Sequence, residues 1–246
     1  MLENIRIVLV CTFHSGNIGS AARAMKTMGL TDLALVSPLD FPSEESLKMA
    51  VSANDVVENA TVYDSLYDAV KECTVVIAST ARTRAYDLPE VSPEKTAEML
   101  CSASIKSKVA LIFGPERMGL SNEDLQLAKY RVTIPTNPDY SSLNLAAAVQ
   151  TLSYEVFKRS MQQSMQIPVP ETVQQPDSIR DMPTTELMEK YYIYLEEILT
   201  ESGFIIKNHP GEVMLKLRKI FSRAQPDQTE LNILRGMLVS IQKKNM

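Results

Sequence analysis

Residues 5–30 read IRIVLVCTFHSGNIGSAARAMKTMGL. The first six are almost wholly apolar and rich in β-branched side chains, the composition of a strand buried on both faces. Residues 14–30 then hold three of the chain's eight glycines. In them Ile18, Ala21, Ala22, Met25 and Gly29 recur at helical spacing, with Asn17 placed to cap the helix. A strand, a glycine-bearing turn and a helix in that order are the opening of an α/β unit. The rest of the first 160 residues repeats the alternation.

Apolar runs lie at 5–10, 33–37, 60–63, 74–79, 109–114 and 131–135, and helical patterns at 17–29, 44–54, 64–72, 92–101, 121–129 and 142–160. Mostly continuous rather than alternating apolar runs predict a mainly parallel α/β sheet with helices on both faces and right-handed crossovers. Residues 161–183 are rich in proline and glutamine and lack glycine, which reads as a linker. From 184 onward three apolar stripes recur at helical spacing: Met188, Tyr191, Tyr192, Leu195, Ile198 and Leu199; Met214, Leu217 and Phe221; and Leu231, Leu234, Leu238 and Ile241. Gly203 is placed to end the first helix, and Asp227 with Glu230 to form a capping box for the last. The expected division is therefore 1–160, a linker at 161–183, and a small all-helical domain at 184–246.

Composition narrows the chemistry. The formal net charge is −5, which advertises no basic nucleic-acid arm. Three cysteines at irregular spacing (Cys11, Cys73, Cys101) and two histidines (His14, His209) make no metal pattern, so no metal is expected. No apolar run approaches the ~20 residues that cross a bilayer, and no basic-then-apolar leader opens the chain; a cytoplasmic protein is expected.

Ligands of an open α/β sheet bind beyond the carboxyl ends of its strands. The loops there are 11–17, 79–84 (STARTR), 114–122 (GPERMGLSN) and 135–144 (PTNPDYSSLN). The first is a poor dinucleotide fingerprint: its glycines are Gly16, Gly19 and Gly29, and the second strand ends in Val36 and Ser37 with no acid to hold a ribose. No G-K-[ST] follows for a P-loop, and no G-x-S-x-G supports a hydrolase. Arg23 lies off the apolar stripe of its helix, which fits a solvated surface arginine as well as a ligand-facing one. Glu116–Arg117 equally fits a surface ion pair. Ser141 or Ser142 is the expected cap of the last helix of the domain.

Three stretches together carry a resemblance: NIGSAAR (17–23), FGPERMGL (113–120) and IPTNPDYSSLNLAAA (134–148). In that order, each at a strand–loop junction, they resemble the SPOUT superfamily of S-adenosylmethionine-dependent RNA methyltransferases, in its 2′-O-ribose branch. The opening MLENIRIVLV, the wording YSSLNLA and the tail TELNILRG are similar to bacterial TrmJ-type enzymes. Those methylate the ribose of nucleotide 32 in the tRNA anticodon loop. The resemblance implies a C-terminal trefoil knot in the α/β domain, a homodimer and tRNA as partner. It implies a catalytic set of Arg23, Asn17, Glu116, Ser142 and Asn144. S-adenosylmethionine would be held by Ser79, Thr80, Ala81, Gly114, Glu116, Ile134, Ser142 and Leu143, largely through the main chain, and RNA by Arg23, Arg82 and Arg84. Lys216, Lys219 and Arg223 share a helical face that is either solvated or touches the tRNA body. One departure stands out: Cys11 and Phe13 replace a glutamate and a small hydroxyl residue of similar enzymes. Other targets within the branch, a non-catalytic RNA-binding protein and a Rossmann-type oxidoreductase are the alternatives.

Overall fold

The computed structural model describes residues 1–81, 86, 88–165, 181–206 and 212–245. It divides into two compact units, Met1–Pro176 and Asp177–Met246. In the first the elements run β1 (Ile5–Val10), α1 (Ser15–Thr27), β2 (Asp32–Val36), α2 (Glu44–Ala50), α3 (Asn54–Glu58), β3 (Thr61–Tyr63), α4 (Leu66–Val70) and β4 (Val75–Ser79). They continue with β5 (Glu90–Val91), α5 (Pro93–Ala103), β6 (Val109–Phe113), α6 (Asn122–Gln126), β7 (Tyr130–Val132) and α7 (Leu145–Met165). The strands form one sheet in the order β3-β2-β1-β6-β4-β7-β5, and every pairing is parallel.

Period-2 alternation explains why the strands read as unbroken apolar runs. In β1, Ile5, Ile7 and Leu9 enter one core with α1, α5 and α7, while Val8 and Val10 enter the other with α4 and α6. Arg6 would put a charge into that second core, and it is fully engaged. Its guanidinium meets Asp32 at 3.1 Å, Glu72 at 2.9 Å and the Ala69 carbonyl at 2.8 Å. Asp32 is its register partner on β2, so β-pairing delivers the counter-ion. Burial holds the Cys73 thiol neutral, pushing it up to about 12 against the opposing pull of the Arg6 guanidinium.

Element boundaries differ from the sequence expectation, two of them for a clear local reason. The helix expected over 44–54 breaks after Ala50, because Val51 takes a positive φ of 54° that no α-helix contains. α7 continues to Met165, so residues 161–165, expected as linker, are helical. Methionine and glutamine are good helix formers and carry the last turn, and Ser164 Oγ donates back to the Ser160 carbonyl. Strand β5 went unseen because two residues give no readable period. Residues 166–180 lie outside the described residues.

Gly19 sets how closely α1 approaches α2. A Cβ there would lie 2.0 Å from the Ser46 carbonyl oxygen and 2.8 Å from the Ala50 nitrogen, both main-chain atoms that cannot rotate away. Gly19→Ala is expected to lower unfolding free energy by about 3 kcal/mol, the scale of an overpacked helix contact. Urea titration of the purified variant checks it.

The second unit is helical: α8 (Thr185–Glu201), α9 (Val213–Ala224) and α10 (Gln228–Asn245). Met188, Tyr191, Tyr192, Leu195, Ile198, Leu231 and Leu238 are buried together, with Met214, Leu217, Phe221 and Leu234 packed against them. The capping box is present: Asp227 Oδ1 accepts from the Glu230 N–H and Glu230 Oε2 from the Asp227 N–H, both at 2.8 Å. Gly203 turns the chain at a φ of 76° just past α8. Ile241 departs from the expected stripe and is exposed, outside the cluster that buries Leu231 and Leu238.

Candidate active site

The carboxyl ends of β4, β6 and β7 open onto one cleft. Ser79, Thr80 and Ala81 come from the end of β4, and Phe113, Gly114, Pro115, Glu116 and Gly119 from the loop after β6. Ile134, Ser141, Ser142, Leu143, Leu145 and Ala148 come from the loop after β7 and the first turns of α7. All eight residues expected around a cofactor line this one cleft. The loop after β6 is compact because Gly114 admits it: a Cβ there would lie 2.3 Å from the Leu120 nitrogen. Gly119 completes the turn at a φ of 67°. On the opposite wall, Thr133 Oγ1 donates to the Thr80 carbonyl at 3.1 Å, and the Thr80 N–H reaches the Val132 carbonyl at 3.0 Å.

Glu116, Asn17 and Asn144 form a chain of hydrogen bonds across this mouth. Glu116 accepts from the Phe13 N–H at 3.0 Å, the His14 N–H at 3.2 Å and Asn17 Nδ2 at 2.7 Å. Asn17 Oδ1 accepts in turn from Asn144 Nδ2 at 2.9 Å. Asn144 Oδ1 takes the N–H groups of Ala146 at 2.9 Å and Ala147 at 3.4 Å. Each amide therefore has its oxygen on a donor and its nitrogen on an acceptor, and the three loops are tied to one another through residues 127 apart in sequence. Burial pushes the Glu116 carboxyl up, yet the Phe13 N–H, the Asn17 amide and the His14 N–H outweigh it. The group is held below the usual carboxylate range.

This geometry corrects three local expectations. Asn17 does not cap α1, which begins two residues earlier after His14; it sits within the first turn with its side chain turned to Glu116. Asn144, not Ser141 or Ser142, accepts the first free N–H groups of α7, so both serines stay exposed and line the cleft. Glu116 is not half of a surface ion pair with Arg117: its oxygens face Phe13, His14 and Asn17, and Arg117 instead lies over the Phe13 ring, 5.0 Å from its centroid.

Arg23 is exposed on α1, behind a buried face made by Ile18, Ala21, Ala22 and Met25. It is not among the residues lining the cleft. Gly29, expected on that buried stripe, lies past the helix end at a φ of 71°. Arg82 and Arg84 lie outside the described residues. Lys216 and Arg223 are exposed on α9, with Lys219 half-buried on the same helix; Lys216 meets Glu212 at 3.5 Å. Among the described residues no group of three or more His, Cys, Asp or Glu could hold a metal, and no helix is long and apolar enough to cross a membrane.

A parallel sheet whose strand-end loops converge in this way defines a ligand-binding α/β domain. The chain belongs to the SpoU rRNA Methylase family, whose model matches residues 4–154. Residues 186–246 match a second model, the tRNA methyltransferase TrmJ, C-terminal domain. The chain is 47% identical over 246 residues to the tRNA (cytidine/uridine-2′-O-)-methyltransferase TrmJ of Yersinia enterocolitica, covering 100% of this chain and 94% of that one. Two solved structures are similar along nearly the whole length. TrmJ from Z. mobilis ZM4 has a TM-score of 0.80 at 32% identity, covering 96% of this chain and 98% of that one. A methylase family protein from Haemophilus influenzae has a TM-score of 0.64 at 45% identity, covering 99% and 98%.

Proposed function

We propose that the chain is an S-adenosylmethionine-dependent tRNA 2′-O-ribose methyltransferase acting on cytidine or uridine at position 32 of the anticodon loop. The observation that carries this is the joining of Asn17, Glu116 and Asn144 into one hydrogen-bonded rim around the cleft. The relatives' printed activity supports the substrate class. The cleft fits the cofactor's chemistry. Phe113, Ile134, Leu143 and Leu145 offer apolar walls, while Ser79, Thr80, Ser141 and Ser142 add hydroxyls and main-chain groups for an adenine edge and an amino-acid tail. When bound, the cofactor supplies an electrophilic methyl on a sulfonium. The protein's task is then alignment of a weakly acidic ribose hydroxyl and removal of its proton. Asn17, Glu116 and Asn144 hold the loops in register, and Ser142 faces the cleft as a polar group toward the acceptor. Arg23 clamps the acceptor's phosphate and orients its 2′-hydroxyl. A guanidinium keeps its proton in proteins, so positioning is its role.

The same reading includes a homodimer in which each site draws on both subunits. Such a site gives the exposed Arg23, which does not line its own chain's cleft, an acceptor to face. It includes a trefoil knot in the C-terminal part of the α/β domain. It sets the α/β domain apart from a helical domain at 184–246, and puts Arg82 and Arg84 on RNA phosphates and the protein in the cytoplasm.

The test is incubation with methyl-labelled S-adenosylmethionine and total tRNA, followed by nuclease mapping. Label is expected on the ribose of a pyrimidine at position 32, and tRNA affinity is expected to fall steeply between about 50 and 200 mM salt. Label on a base, or an affinity indifferent to salt, would overturn the assignment.

A further inference from the structure

Phe13 and Arg117 make an exposed aromatic–cation pair beside the cleft. Resting on the function proposed above, we infer that this pair is the platform on which the base of the acceptor nucleotide stacks. Phe13 is 45% exposed and belongs to none of the three hydrophobic cores. Packing therefore gives no reason for a phenyl ring there. Its position is nonetheless fixed: the Phe13 N–H is held at 3.0 Å by the Glu116 carboxylate, and Glu116 lines the cleft. His14 meets the ring at 81°, 4.8 Å between centroids, and the Arg117 guanidinium covers it at 5.0 Å. The ring is thus held by neighbours on two sides, next to the cleft-lining Glu116, with nearly half of the residue's surface open.

The reaction needs such a surface. A 2′-hydroxyl in a structured loop becomes reachable when its nucleotide leaves the stack, and a protein offsets the lost stacking with an aromatic face. A stacking face reads no donor or acceptor on the ring edge, so cytosine and uracil are both accepted by it. Arg117 adds a cation beside the ring that favours the electron-rich face of a base and the phosphates flanking it. Phe13 lies outside the three stretches that carry the resemblance, and Arg117 stands between Glu116 and Gly119.

The test compares tRNA transcripts carrying uridine or an abasic ribose at the methylated position, each retaining the 2′-hydroxyl. The wild type is expected to favour the uridine transcript by about ten-fold in kcat/KM, the range for one stacked base, and Phe13→Ala to discriminate less than two-fold. Phe13→Tyr is expected to restore the preference. Binding of S-adenosylmethionine is expected to be unchanged in both variants. The chain has no tryptophan, so Phe13→Trp supplies a single indole, excited to the red of the tyrosines. Its emission is expected to be quenched by the uridine transcript and not by the abasic one, and this decides the matter if Phe13→Ala turns over too slowly to assay. A wild type indifferent to the missing base, a preference that survives in Phe13→Ala, or equal quenching by both transcripts would overturn the platform. A wild type that methylates neither transcript would instead overturn the proposed activity.

Discussion

Arg23→Ala is expected to lower kcat for tRNA methylation by about 1,000-fold or more while changing the dissociation constant for S-adenosylmethionine less than two-fold. The separation follows from position. Arg23 is exposed on α1 and does not line the cleft, so its loss leaves the cofactor walls intact. Its loss leaves the fold intact as well. The buried face of α1 is made by other residues, and an exposed substitution of this kind stays within about 0.5 kcal/mol. What disappears is the clamp that holds the acceptor ribose in line with the methyl group. Alignment of two reacting atoms is worth many orders of magnitude, and 1,000-fold corresponds to about 4 kcal/mol of transition-state stabilisation. Arg23→Lys is expected to recover only part of the rate, because an ammonium keeps the charge but not the planar fork that grips a phosphate through two hydrogen bonds. Single-turnover rates with saturating cofactor, beside calorimetric titration of the cofactor alone, check both halves. Loss of cofactor binding in Arg23→Ala, or wild-type turnover, would remove Arg23 from the acceptor side.

The parallel sheet was legible because burial on both faces forces continuous apolar runs; Ile5, Ile7 and Leu9 serve one core while Val8 and Val10 serve the other. The three helices of the second unit were legible because their stripes and the Asp227–Glu230 box are local signals. The convergence of the loops was not readable from periodicity. Asn17 and Asn144 stand 127 residues apart, and only the strand order β1-β6-β4-β7 brings the loops they occupy to one end of the sheet. The resemblance picked out Asn17, Glu116 and Asn144, yet local rules misassigned the physical task of each. By rule Asn17 capped its helix and Glu116 paired with its neighbour, whereas in the folded chain long-range partners compete successfully for both side chains. Local rules do not single out Asn144 as the cap, because capping preference ranks Ser and Asn nearly alike and cannot choose among Ser141, Ser142 and Asn144. Phe13 was visible only as a departure from similar enzymes; its exposure and its pairing with Arg117 needed the structure.

Replacing Glu116 by glutamine is expected to lower kcat/KM about 100-fold and stability by about 1 kcal/mol at neutral pH. The carboxylate takes three donors, the Phe13 and His14 N–H groups and the Asn17 amide. Glutamine has one acceptor oxygen, and its NH2 would face a donor in place of the second carboxylate oxygen. The stability effect is modest because the site is half open to water, which hydrates whichever N–H groups are released. The catalytic effect is larger, since a released Asn17 also frees Asn144 and with it the loop that presents Ser142. The sign of the pH dependence follows from the direction of the shift. Glu116 is held below the usual carboxylate range in the folded protein, so its contribution is complete above the unfolded carboxylate value of about 4.3 and is lost as pH falls through its folded value. The difference in unfolding free energy between wild type and Glu116→Gln is therefore expected to be constant from pH 8 to about pH 5 and to shrink below it. Glu116→Asp, which keeps the charge on a shorter arm, is expected to recover the pH dependence and only part of the rate. Urea titrations across that range, paired with initial rates at neutral pH, separate the two effects. A gap that persists unchanged to acid pH would mean that the Glu116 charge does not hold the three loops together.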